Sequence, residues 1–186
     1  MSNIESLHTK RLILRPPQLT DAPDIQKQIN DWEVVKFLSN QIPWPYPDTG
    51  AIDFIKKVVH PNQGKDNWFW AICIKEKPDT AIGLVELWRD GSPEHRGFWL
   101  AKKYWGRGFM PEATKAINSF AFEKLGFEKL ILSNAKENVA SRRVKEKTGA
   151  RFLRFSKNIF VGEIERETEL WEIKKEDWLR HNLRDY

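Results

Sequence analysis

The chain has 186 residues, enough for one domain with a sizeable core. Its 31 basic and 26 acidic side chains are interleaved, giving a net charge of +5 without the concentrated basic stripe that nucleic-acid binding requires. There is no apolar run near 18 residues and no signal pattern, so neither a membrane span nor export is expected and a cytoplasmic location is the default.

In chain order, residues 7–15 read as an opening strand. Thr20-Asp21-Ala22-Pro23 starts a helical stretch near 21–30, and a second follows near 31–39. Gln41–Asp48 alternates three prolines with aromatics, which forbids a helix and sets an extended loop. Asp48 or Thr49 caps a helix near 49–59. Residues 67–75, 80–89 and 94–101 read as three strands, separated by turn signals at Lys77-Pro78-Asp79 and Asp90-Gly91-Ser92-Pro93. A long helix near 109–125 carries Ala113, Ala116, Ile117, Phe120, Ala121 and Leu125 at helical spacing, and Gly126 ends it. A short strand at 129–133, a helix capped by Asn138 and closed by Gly149, and strands near 150–160 and 164–173 complete the order. Cys73, the one cysteine, lies in an apolar run and reads as a buried thiol; no metal-ligand spacing is present.

This order predicts one α/β domain over 1–186: a mixed, mostly antiparallel sheet of about seven strands with helices on both faces. The strand–helix–strand unit at 96–133 is expected to be a right-handed parallel crossover. Ligands of such sheets bind beyond the carboxyl ends of strands, where neighbours diverge.

Lys103-Tyr104-Trp105-Gly106-Arg107-Gly108-Phe109-Met110-Pro111 stands at such a point. Two glycines let the backbone turn and approach a ligand, and Pro111 suits a first helical turn. The unpaired N–H groups of that turn, with the helix dipole behind them and Lys103 and Arg107 nearby, suit a phosphate. The spacing matches neither G-x-x-x-x-G-K-(S/T) nor G-x-G-x-x-G. It resembles the (Gln/Arg)-x-x-Gly-x-(Gly/Ala) loop of the Gcn-related N-acetyltransferases (GNAT superfamily), with Lys103 at the first position. The segment Asn138-Val-Ala-Ser141-Arg142-Arg143-Val144-Lys145-Glu146-Lys147-Thr148-Gly149-Ala150 resembles a second motif of that superfamily. Trp-Gly-Arg-Gly-Phe followed by Glu-Ala is similar to the branch acetylating N-termini of ribosomal proteins (RimJ/RimL type), and the resemblance spans residues 8–175.

The resemblance implies an acetyl-CoA-dependent N-acetyltransferase working by direct transfer, with a sheet splayed between its fourth and fifth strands. Acetyl-CoA is the cosubstrate, and no metal is expected. Trp105, Gly106, Arg107, Gly108, Phe109 and Met110 would hold its pyrophosphate, with Asn138 and Ser141 nearby as both cofactor-binding and catalytic residues. Backbone N–H groups of the strand before the loop, nearest Trp99, Leu100 and Ala101, would polarise the thioester carbonyl. The family's frequent thiolate-protonating tyrosine falls at position 145, here lysine; Ser141 is the substitute. For the base, Glu86 lies among apolar residues, where desolvation makes a carboxylate more basic. His95 and a water chain are the alternatives. Glu112 complements the helix dipole. Trp44, Tyr46, Trp68 and Trp88 could wall the acceptor. That acceptor is a protein N-terminus, possibly ribosomal, or else a small amine; a non-catalytic CoA-binding module is the third reading. The alternating Glu163, Glu165, Glu167 and Glu169 could form a wall for a cationic substrate or an exposed sheet face. The chain is expected to act as a monomer or homodimer, without nucleic acid or membrane.

Overall fold

The structure, a computed structural model, describes residues 4–91 and 94–182. The expected opening strand is a tight hairpin, β1 (Leu7–His8) and β2 (Leu12–Arg15), because Thr9 turns the chain: its N–H and hydroxyl both donate to Leu12 O. Helices α1 (Ala22–Ile29) and α2 (Trp32–Val35) follow. The helix expected at 49–59 is α3 (Gly50–Phe54), which widens into a π-turn at Ile55–Val59 and ends in α4 (His60–Asn62). Strands β3 (Asn67–Ile74), β4 (Lys77–Trp88) and β5 (Arg96–Leu100) form an antiparallel meander on β2. The turn expected at Asp90–Pro93 falls partly outside the described residues; within it, Gly91 has φ of 67°, where a Cβ would strike the His95 ring.

The long helix is α5 (Phe109–Glu123), followed by β6 (Lys129–Ala135), α6 (Val139–Lys147), β7 (Arg151–Phe160) and β8 (Ile164–Lys174). A last helix, α7 (Lys175–Asn182), was not expected from the sequence; Trp178 anchors it, 2% exposed and packed on Phe122.

Strand alternation sends Trp68, Trp70 and Ile72 to one side of the meander, against α5 and α7, and Phe69, Ala71 and Cys73 to the other, against α1–α3. The two buried clusters therefore lie on opposite faces, as a helix-covered sheet requires. The expected parallel crossover does not pair. The strands separate into a five-stranded sheet, β1-β2-β3-β4-β5, and a three-stranded sheet, β6-β8-β7. The sheets join where His95 N–H donates to Ile131 O (2.7 Å) and Ile131 N–H donates to His95 Nδ1 (2.8 Å). The split between β5 and β6 opens beyond that joint.

Candidate active site

The loop after β5 takes its shape from two left-handed glycines, Gly106 (φ 74°) and Gly108 (φ 75°), a region side chains with a Cβ rarely enter. A Cβ on Gly106 would meet nothing within 4 Å, so a cradle is left open above it. Gly108 is the residue before the first turn of α5. Pro111 has no N–H and that of Glu112 is bonded to Gly108 O, so the N–H groups of Phe109 and Met110 are the donors at that helix end. The fit to a pyrophosphate is that of an anion at a helix N-terminus. The Trp105 indole donates to Leu100 O (2.6 Å), tying loop to strand.

Glu112 does more than face the helix dipole. It accepts from Thr9 Oγ1 (2.6 Å), Arg11 N–H (2.7 Å) and Arg11 Nε (2.7 Å). Arg11 also donates to Arg107 O (2.8 Å) and lies over the Phe109 ring at 4.6 Å. The β1–β2 hairpin is thus a strut under the glycine loop. Burial raises the Glu112 pKa, but these hydrogen bonds together bring it below the usual carboxylate value.

At the split, Ala101 N–H donates to Ile82 O and His95 O accepts from Trp88 N–H. The intervening register makes Gly97 and Trp99 the alternate residues bonded to β4, so the N–H groups of Phe98 and Leu100 turn toward the split. This corrects the expected donor set: Leu100 keeps its place, but Trp99 and Ala101 direct their N–H groups into the sheet, and Phe98 joins Leu100.

On the α1–α3 face, Glu86 and Trp88 lie over Gly97, where a Cβ would sit 2.9 Å from Glu86 Oε1 and 2.8 Å from the Trp88 ring. Glu86 keeps a partly exposed edge, yet desolvation, aided by the charge of Glu94, pushes it up to about 8. Glu94 was missed in the sequence. It accepts from both Ser133 N–H (2.9 Å) and Ser133 Oγ (2.8 Å) across the split, and burial raises its pKa despite Lys145, Ser133 and Arg96 nearby. Ser133 also lines a cavity of about 200 Å³ on the open face of the second sheet, with Arg154, Ser156, Lys157, Asn158, Thr168 and Leu170. His95, the alternative base, has its Nδ1 occupied by Ile131 N–H and its ring on Phe127, and burial lowers its pKa. It is a strut between the sheets.

On the α5–α6 side, Asn138 caps α6 by accepting from Ser141 N–H (3.1 Å). Ser141 is 9% exposed, and its Oγ accepts from Lys145 Nζ at 2.9 Å. Lys145 is 2% exposed; burial lowers its pKa to about 7 although Glu94 and Glu169 favour its charge. Arg96, 3% exposed, donates to Asn118 Oδ1, and its Nε and Nη2 find no hydrogen-bond partner among the described residues. Arg142 is no solvated helix residue: it pairs with Glu169 of β8 (Nη2–Oε1, 2.5 Å; Nε–Oε2, 2.9 Å).

The aromatic wall needs correction. Tyr46 is 9% exposed and its ring covers Gly50, so it is core; burial pushes its hydroxyl up to about 12. Trp68 is core as well, with Arg89 stacked on it at 5.0 Å. Trp44 is half-buried against Trp32 (5.4 Å), and only Trp88 stands beside Glu86. The glutamate row resolves into an exposed face, with Glu165 paired to Lys157 and Glu167 to Lys136, and a buried Glu169. Among the described residues no cluster of potential ligands could hold a metal, and no helix is long and apolar enough to cross a membrane.

Residues 11–151 match the acetyltransferase (GNAT) domain. The chain is 28% identical over 142 residues to the N-acetyltransferase p20 of Bacillus licheniformis (74% of this chain, 78% of p20). It is 24% identical over 177 residues to the N-acetyltransferase YnaD of Bacillus subtilis strain 168 (91% and 97%). Its fold is similar to that of RimL, a ribosomal L7/L12 α-N-protein acetyltransferase solved with coenzyme A, with a TM-score of 0.75 at 13% identity, covering 91% of this chain and 98% of RimL. The glycine loop, the split sheet and the domain match converge: the chain belongs to the GNAT family and is an acetyl-CoA-dependent N-acetyltransferase.

Proposed function

We propose that the acceptor is the N-terminal amine of a protein or peptide, approaching from the open face of the second sheet. The observation that carries this reading is the cavity at Ser133, the residue bonded to Glu94, lined by the hydroxyl and amide groups of Ser156, Thr168 and Asn158 with Arg154, Leu170 and a Lys157 already paired to Glu165. Hydroxyls and an amide suit the peptide groups of an extended chain end that carries a single amine. A polycation would need an acidic wall, and Glu165 and Glu167 are already paired with lysines. RimL, which shares the fold, acts on the α-amine of ribosomal L7/L12, and that class of acceptor agrees with the cavity.

Acetyl-CoA supplies the activated acyl group. Glu86, as carboxylate, takes the proton that the incoming ammonium must lose, and Glu94 holds a second carboxylate beside it. Phe98 and Leu100 N–H groups, fixed by the register of β5, stabilise charge growing on the carbonyl oxygen. Ser141 faces the leaving sulfur from the other side of the split. Holding the two reactants on opposite sides of one gap supplies much of the rate enhancement. The test is free-thiol release from acetyl-CoA with matched peptides, each with a free or a blocked N-terminus, beside polyamines and aminoglycosides. The reading expects release with free N-termini and none with blocked ones. Release with the small amines alone contradicts it.

A further inference from the structure

A lysine enclosed in protein normally pairs its charge with a carboxylate by direct contact. Lys145 does not. It is 2% exposed, and among the described residues its Nζ donates one hydrogen bond, to the hydroxyl of Ser141 at 2.9 Å. The Phe98 ring lies 5.7 Å from Nζ, on the strand that borders the split. Glu94, from the segment before β5, and Glu169, from β8, attract the charge at longer range, and Arg96 of β5 repels it. Arg142, on the helix of Lys145, is engaged by Glu169. A flexible four-carbon stem ending in a proton-rich head has therefore been walled in, and its one hydrogen-bond acceptor is a hydroxyl that itself can pass a proton on.

Resting on the transfer reading above, we propose that Lys145 is the proton reservoir for Ser141, delivering through its hydroxyl the proton that the departing thiolate takes up. The amine nitrogen bonds to the carbonyl carbon, the carbon–sulfur bond breaks, and its electron pair stays on sulfur. Sulfur takes the Ser141 hydroxyl proton as Ser141 Oγ takes one from Lys145 Nζ. Lys145 is left neutral and regains a proton from solvent before the next cycle. The protons lost by the acceptor amine leave through Glu86, so one proton is released per turnover. Lys145 touches no substrate in this scheme; it is a positioning and proton-supplying residue acting through Ser141. Its lowered basicity suits the task, since a donor works best when its pKa lies near the working pH.

Lys145→Met tests this. A thioether of similar length fills the same space without a charge to bury, so the fold and its melting temperature should be kept. We expect kcat to fall about tenfold, no further than in Ser141→Ala through which Lys145 acts, with coenzyme A affinity by calorimetry unchanged. The wild-type rate should fall again on the alkaline side of its pH profile, and the variant should instead rise to a plateau. Lys145→Arg, which keeps a charge but does not release its proton, should not rescue. A second readout needs no acetyl-CoA: nitrogen NMR of Lys145 Nζ in the free protein should show titration near neutrality. An Nζ that stays charged through the ordinary lysine range overturns the proposal, as does a Lys145→Met enzyme with wild-type kcat or an intact alkaline limb. A wild type that releases no thiol with any amine overturns the transfer reading itself, and the NMR titration is separate from that outcome.

Discussion

Ser141 and Glu86 stand on opposite sides of the split, and each has a different signature on mutation. Ser141→Ala should lower kcat about tenfold or more while leaving coenzyme A affinity unchanged, because a proton donor acts on charge that grows late in the reaction. Steady-state kinetics beside calorimetry separates the two effects. Glu86→Gln should abolish the acidic limb of kcat/KM, since the base must be ionised and its pKa is raised to about 8. The same shift has a sign for stability. Between the usual carboxylate value and about 8, folded Glu86 binds more protons than unfolded Glu86, so its contribution to stability falls as pH rises through that window. Glu86→Gln, which mimics the protonated form, should gain in melting temperature over wild type as pH rises through that window. Glu86 and Ser141 could be named as candidates from the sequence, Glu86 by its apolar strand and Ser141 by the resemblance of its motif. Glu94 could not, because what draws it to the split is Ser133, 39 residues away. The Lys145–Ser141 contact was in plain view at i, i+4 spacing, but burial of the ammonium depends on β5 and β8 packing over it.

Elements hold the site through a few polar ties that sequence spacing does not reveal. Asp21, 0% exposed, accepts from Arg15 Nη1 and Nη2 at 2.8 and 2.6 Å and from Gln18 N–H at 2.7 Å, fixing α1 on β2. Asp21→Ala strands a half-buried guanidinium and should destabilise the fold by about 3 kcal/mol, read by urea unfolding. Glu112 holds the hairpin against the glycine loop, a role spanning 101 residues in sequence that its position in a first helical turn concealed. Glu112→Gln should weaken coenzyme A binding several-fold with the far-UV spectrum intact, since it loosens Arg11 and the Arg107 carbonyl it holds. The regular elements themselves were mostly readable from periodicity. The exceptions have local causes: Thr9 breaks the opening strand into a hairpin, and α7 gains its stability from one tryptophan seated on Phe122.

At the scale of the molecule, the reaction depends on a sheet that comes apart. Order and spacing of strands suggested one sheet with a parallel join, yet β5 and β6 do not pair: the sheets are tied through His95 and Ile131 and through Glu94 and Ser133, and the gap beyond is bordered by Phe98 and Leu100 N–H groups. Strand order and spacing did not show this parting; the splay was expected from the family resemblance alone, and Glu94, Arg96 and Lys145, which interact around the split, come from segments far apart in sequence. The glycine loop at the mouth of this gap is placed to hold the phosphates of acetyl-CoA. Calorimetric titration of coenzyme A into the wild type and into Gly108→Val measures it most directly. Residue 108 has φ of 75°, which valine adopts only with strain of about 1–3 kcal/mol, and the added side chain also presses on Arg11. Coenzyme A should bind the wild type saturably and should not bind a variant whose circular dichroism is still that of the folded protein. Equal affinity in the two proteins would contradict it.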